Sequence, residues 1–144
     1  SEPLALSELA GRVVLVRWWT GPHCPLCRAS AAALNEFHQR FSDRGLVVVG
    51  LYHHKAPSPL QLEQVERYAR SLGFEFPVAI DRGWRTLRSW WLEGHDRSYT
   101  SVTFLLGRDG TIRYVHPGGN YVRGDGQFEV LESKIVELLA DDGG

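Results

Sequence analysis

Cys24 and Cys27 are the only two cysteines in the 144-residue chain, and two residues separate them in the run Cys24-Pro25-Leu26-Cys27. Two thiols at this spacing can open and close a disulfide. That reaction is run by the thiolate, so one sulfur must ionise near neutral pH. The start of a helix meets the requirement, because its unsatisfied backbone N–H groups and dipole favour an anion. Cys24 is then the exposed nucleophile, and Cys27, one turn in, resolves the mixed disulfide. Pro25 suits the first turn, whose N–H groups have no helical partner. A second chemistry stays open: the sulfurs are soft ligands suited to Cu(I), with His23, His53, His54 or His116 as a third ligand.

The flanking elements are expected to supply that helix start. Val13–Trp18 is an apolar run broken only by Arg17 and reads as a buried strand. After the Gly21-Pro22 break, Leu26, Ala29, Ala33, Phe37 and Phe41 recur at helical spacing. This predicts a helix from about Cys24 to Ser42, stopping near Gly45. Leu46–Tyr52 is the next strand, followed by a polar loop from His53 to Pro57. Ser58 reads as an N-cap, with Pro59 at the first helical position and Gln61 completing a capping box. Leu62, Val65, Ala69 and Leu72 form that helix's apolar stripe, which Gly73 ends. Strands at Phe76–Ile80, Val102–Leu106 and Ile112–Val115 follow, the last two joined by Asp109-Gly110. A short helix is expected at Trp84–Trp91, and a final one carries Phe128, Leu131, Ile135 and Leu138. His116-Pro117-Gly118-Gly119 reads as a turn first. Strands linked through helices pair in parallel with right-handed crossovers, whereas the hairpin is antiparallel. The expected fold is α/β, a mixed sheet with helices on both faces, as a single domain over residues 1–144.

Composition narrows the function. Hydrophobic residues at 43% and charged residues at 23% are globular values, and a net charge of -1 leaves no basic footprint for nucleic acid. The apolar runs are too short to span a bilayer. Two cysteines exclude a multi-disulfide scaffold and a four-cysteine zinc site. The chain has no methionine and begins at Ser1, so an upstream signal peptide, anchor or tag is expected to have been removed.

Four segments together resemble the TlpA-like redoxin branch of the thioredoxin superfamily, extracytoplasmic thiol–disulfide oxidoreductases. They are Val14–Arg28, Leu46–Leu51, Phe76–Asp81 and Ser101–Ile112, and the likeness runs from about Leu4 to Leu139. The resemblance implies a thioredoxin-like fold whose central helix–strand insertion is Ser58–Ile80. It also implies exchange with protein thiol and disulfide substrates and a redox partner protein, no cofactor, and a location outside the cytoplasm.

Several positions depart from that pattern. Ser101 stands where relatives carry a cis-proline. A cis bond before a non-proline residue costs about 2.5–4 kcal/mol, so Thr100–Ser101 is expected to be trans, or cis only under strong tertiary constraint. The Ser101 hydroxyl could hydrogen-bond a thiolate. His23 replaces a tryptophan before the first cysteine and can stabilise or relay a proton to the sulfur. Trp19 lies one residue farther from Cys24 than its counterpart, which suggests an insertion around Gly21-Pro22-His23. Where relatives place a buried acid under the disulfide, this chain has Arg17 or Trp18 on the strand. His53, His54 or Lys55 could substitute, though at least two of the three are expected to be exposed. The tryptophans are expected mostly in the core, with Trp90 or Trp91 as candidates for a substrate groove. A thiol peroxidase of this superfamily would resemble Pro-x-x-x-Thr-x-x-Cys; the matching positions are Arg17 and Gly21, which speaks against that activity.

Overall fold

A computed structural model describes residues 9, 11–20, 25–54, 59–81, 102–117, 121–122 and 124–140. Its elements are β1 (Val13–Trp19), α1 (Pro25–Phe41), β2 (Leu46–Tyr52), α2 (Leu62–Leu72), β3 (Val78–Ile80), β4 (Val102–Leu106), β5 (Ile112–Pro117) and α3 (Gly126–Ala140). The five strands form one sheet in the order β3-β2-β1-β4-β5. β1, β2 and β3 pair in parallel, while β4 runs antiparallel to both β1 and β5. This is the mixed sheet the sequence implies, with α2 and β3 as the inserted helix and strand.

The direction of strand addition decides where the helices go. β1, β2 and β3 step one way across the sheet, so two right-handed crossovers put α1 and α2 on the same face. α3 joins them there: Val13, Leu15, Leu46, Val48 and Leu105 pack with Leu34 and Phe37 of α1 and Phe128, Leu131 and Ile135 of α3. The other face buries Val14, Val16, Trp18, Val49, Val102 and Phe104. Period-2 alternation places these two sets on opposite sides of the same strands. The helix expected at Trp84–Trp91 lies outside the described residues.

Boundaries mostly match the expectation, and the differences have local causes. α1 closes through a short 3-10 turn, Ser42–Arg44, whose end is capped by Gly45 N–H on Ser42 O at 3.3 Å. The start of α2 is a correction: its N-cap is Gln61 in an extended conformation, without a side-chain cap. Pro59 is therefore not helical, and Ser58 lies outside the described residues. Leu60, just before the cap, packs in the same cluster as Val65, the arrangement of a hydrophobic staple. The later start leaves Leu62 56% exposed, outside the expected stripe. Gly73 ends α2 at φ 76°, donating to Ala69 O and Arg70 O, a conformation glycine adopts without a Cβ penalty. β3 is confined to Val78–Ile80, with Phe76 buried ahead of it. β5 continues two residues past Val115, because His116 pairs with Thr103 and Pro117 with Val102. The end of an edge strand tolerates proline, so His116-Pro117 belongs to the sheet and not to a turn.

Candidate active site

β1 is buried along its whole length, and it carries the chain up to the segment holding Cys24. His23 and Cys24 lie outside the described residues, as do Thr100 and Ser101. Pro25 is the first residue of α1, the position where its fixed φ fits a helix start. Cys27, in the first turn, is 1% exposed and clusters with Trp19, Tyr52 and Val65. It begins the buried stripe that continues through Ser30, Leu34, Phe37 and Phe41. A resolving sulfur is expected in such a place, shielded yet at the helix N-terminus.

Beneath that turn sits a buried polar group of a kind that strand periodicity alone does not announce. Arg17 is 1% exposed. It pairs with Thr103 of β4, which pairs with His116 of β5, so the three share one row on the helix-covered face. Arg17 Nε donates to Ser30 Oγ at 3.4 Å, and Arg17 Nη1 donates to Trp18 O at 2.6 Å. Ser30, in turn, donates to the Cys27 carbonyl at 3.5 Å. Tyr121 closes the cluster: its hydroxyl lies 2.8 Å from Thr103 Oγ1, and its ring meets the His116 ring edge-on at 5.0 Å. Burial pushes the Tyr121 hydroxyl pKa up, outweighing the Arg17 charge and the hydrogen bonds with Thr103, Ser30 and Arg17 that pull it down. Burial also holds His116 below the usual histidine range; Arg17 pushes the same way and Asp125 opposes it. Arg17 is thus surrounded in part by a histidine and a tyrosine whose neutral forms burial favours.

The sites considered for a buried acid resolve differently. Asp81 is the buried carboxylate among the described residues, at 5% exposure. It accepts a hydrogen bond from Trp18 Nε1 at 3.0 Å, which places that contact on the face away from Cys27. The histidine loop is less exposed than expected: His53 is 1% exposed, and its backbone N–H donates to Trp19 O at 3.0 Å, prolonging the β1–β2 pairing. His54 is half-buried, with Nδ1 2.9 Å from Tyr52 Oη. Lys55 lies outside the described residues, as do Trp90 and Trp91. Trp18 and Trp19 are fully buried, as core tryptophans should be. No group of three or more His, Cys, Asp or Glu side chains suited to a metal ion occurs among the described residues.

A sheet of this order, with Cys27 in the first turn of the helix that follows its central strand, fits the chain's class: it belongs to the Redoxin family, whose model matches residues 1–135. Among curated relatives, it is 27% identical over 141 residues to the protein DipZ of Mycobacterium tuberculosis, covering 98% of this chain but 19% of that one. The thiol-disulfide oxidoreductase ResA of Halalkalibacterium halodurans is 25% identical over 138 residues, covering 96% of this chain and 68% of its own. The crystal structure of a thiol-disulfide isomerase from Corynebacterium glutamicum superposes with a TM-score of 0.74 at 28% identity, covering 98% and 89% of the two chains. The likeness to TlpA-like redoxins and the thioredoxin-like fold both hold, and these relatives do not favour the metal-binding or peroxidase alternatives.

Proposed function

We propose that the chain is a thiol–disulfide oxidoreductase acting through Cys24 and Cys27. The observation that carries this reading is Cys27, buried in the first turn of the helix that follows the central strand, in a Redoxin-family chain related to a named thiol-disulfide oxidoreductase. The Cys24 thiolate attacks a substrate disulfide and expels one substrate sulfur as a thiolate. Cys27 then attacks the Cys24 sulfur of the mixed disulfide, releasing the second substrate sulfur and leaving the Cys24–Cys27 disulfide. Two electrons pass to the substrate, and the same steps run backwards for oxidation. No cofactor enters the exchange. In this reading His23 assists ionisation of Cys24, and the Ser101 hydroxyl is the candidate hydrogen-bond donor to the thiolate.

The substrates are protein dithiols and disulfides; a separate redox partner regenerates the Cys24–Cys27 pair, and the exchange takes place outside the cytoplasm. No helix among the described residues is long and apolar enough to cross a membrane. Cys24→Ser should abolish disulfide exchange with a glutathione-linked peptide, and Cys27→Ser should accumulate mixed disulfides visible by mass spectrometry. Full activity in Cys24→Ser ends this reading.

A further inference from the structure

α2 is held down by less than the two helices that share its face. Val65 is its buried side chain, whereas α3 buries five, and its first turn has no side-chain cap. Among the described residues the ion pairs lie within α1, within α3 or between them, and none reaches α2. The half-buried Tyr68, Ala69 and Leu72 lay its apolar stripe over the cluster that holds Trp19, Cys27 and Tyr52. An element with few buried apolar groups opens at lower free energy than the core around it.

The C-terminal end of α2 is gripped by a side chain of α1. Asn35 Nδ2 donates to Gly73 O at 2.7 Å, and Glu75 N–H donates to Asn35 Oδ1 at 2.9 Å. One carboxamide thus pairs with the backbone on both sides of Phe74, and only one orientation of it satisfies both partners. One turn on, Gln39 Nε2 donates to Glu75 Oε1 at 2.7 Å. The grip falls on the helix cap itself, where Gly73 N–H returns to Arg70 O at 3.0 Å and Phe74 N–H to Ala69 O at 3.1 Å. Phe74, between the two gripped residues, packs edge-on against Trp19 at 5.1 Å. Trp19 is fully buried and its Nε1 donor has no hydrogen-bond partner, so burial alone keeps that proton from water. β3 is attached separately, through Gly50 N–H to Pro77 O at 3.0 Å and Asp81 N–H to Tyr52 O at 2.8 Å. The stretch from Leu60 to Glu75 can therefore part from the cluster while the strands stay paired.

We propose that α2 is a cover over the cluster of Trp19 and Cys27, latched to α1 by Asn35, and that release of the latch opens it as a unit and admits water and small thiol reagents to Cys27. Such opening is a property of the fold, independent of whether the cysteines exchange disulfides.

Hydrogen exchange of the full chain under reducing conditions, followed by NMR at increasing urea, tests this. In the wild type the α2 amides and the Trp19 indole N–H should exchange with a shallow urea dependence, while the Phe37 and Leu131 amides need the full slope of global unfolding. If α2 and Trp19 follow the full slope, there is no separate opening and the proposal falls. A hydrogen bond shifts such an equilibrium by roughly two- to tenfold, so Asn35→Ala should speed both at low urea by at least about fivefold. Asn35→Asp keeps the shape but loses the Nδ2 donor, and should speed them by at least about threefold; a smaller effect in either variant overturns the latch. Asp125→Ala, at the start of α3, should leave Trp19 exchange at low urea within about twofold, and a larger change would show that the cover does not open on its own. In a Cys24→Ser background, Asn35→Ala should also speed alkylation of Cys27 at least about fivefold, and a smaller gain overturns the access to Cys27. Should the Asn35 variants not fold by circular dichroism, the urea dependence of the wild type decides.

Discussion

Gly50 sits in β2 directly opposite Arg17 of β1 and Val78 of β3, and replacing it by alanine sets two effects against each other. Glycine inside a strand is worse than alanine by roughly 0.5–1 kcal/mol, because it gives up more backbone entropy on folding. On that ground Gly50→Ala should stabilise. Yet a Cβ at this position would meet Trp19 Nε1 at 3.0 Å and Phe76 Cε2 at 3.1 Å. Neither ring has room to swing: Trp19 is held edge-on by Tyr52 at 5.0 Å and Phe74 at 5.1 Å, and Phe74 lies 4.6 Å from Phe76. The Trp19 Nε1 donor has no hydrogen-bond partner, so the substitution breaks no bond and the cost is steric. Overpacking a full core costs roughly 1–3 kcal/mol, and two hemmed aromatic rings place this site at the upper part of that range. The net expectation is a loss of about 1–2 kcal/mol, or a Tm lower by roughly 3–6 °C at this chain length. Equilibrium urea unfolding followed by circular dichroism measures it, with an unchanged slope showing that only stability moved. Gly126→Ala is the control: nothing lies within 4 Å of its added Cβ, so the same entropy gain should appear there without the clash. A Gly50→Ala protein as stable as the wild type, or more so, would refute the packing argument.

Two further outcomes follow from the polar groups. His116 has a folded pKa below its unfolded one. The unfolded chain therefore binds more protons in that window, and stability rises with pH through it. The wild type should lose urea resistance as pH falls below about 6.5 toward the folded pKa, a slope that His116→Gln should flatten; identical slopes in the two proteins would show that His116 does not titrate as its burial requires. Asp125 precedes α3, its carbonyl accepting from Glu129 N–H at 3.2 Å and its carboxylate from Phe128 N–H, so Asp125→Ala should cost about 1 kcal/mol. Asp125→Asn should recover most of that loss in the same unfolding assay, and equal losses in both variants would rule out the capping role.

Helices were legible where one face was apolar and the other wet, and strands where apolar residues ran continuously between turn residues. Leu46–Tyr52 and Val102–Leu106 form strands at the boundaries read from their apolar runs. β1 was legible as a strand but not as a surface with two distinct sides. Because it is buried on both faces, its alternation carries no contrast, and Arg17 reads as an interruption when it is a member of the core. What identifies it is register: Arg17, Thr103 and His116 become one row only once β4 and β5 are paired. The start of α2 misled for a related reason. Ser58, Pro59 and Gln61 have the chemistry of a helix cap, but the helix starts three residues later, with Leu60 packed in the cluster that holds Val65.

That row gives β1 a gradient along its helix-covered face. Val13 and Leu15 lie in the apolar cluster with α1 and α3, Arg17 comes next, and Trp19 lies beside Cys27. Ligand and reaction sites of sheets with parallel strands gather beyond the strands' carboxyl ends, and here the buried polarity increases toward that end. A core built for packing alone would fill position 17 with another branched aliphatic, since burying a charge carries a desolvation cost. Arg17 instead bonds Ser30 at the start of α1, where the chemistry is expected, while Val13 and Leu15 at the far end carry the packing.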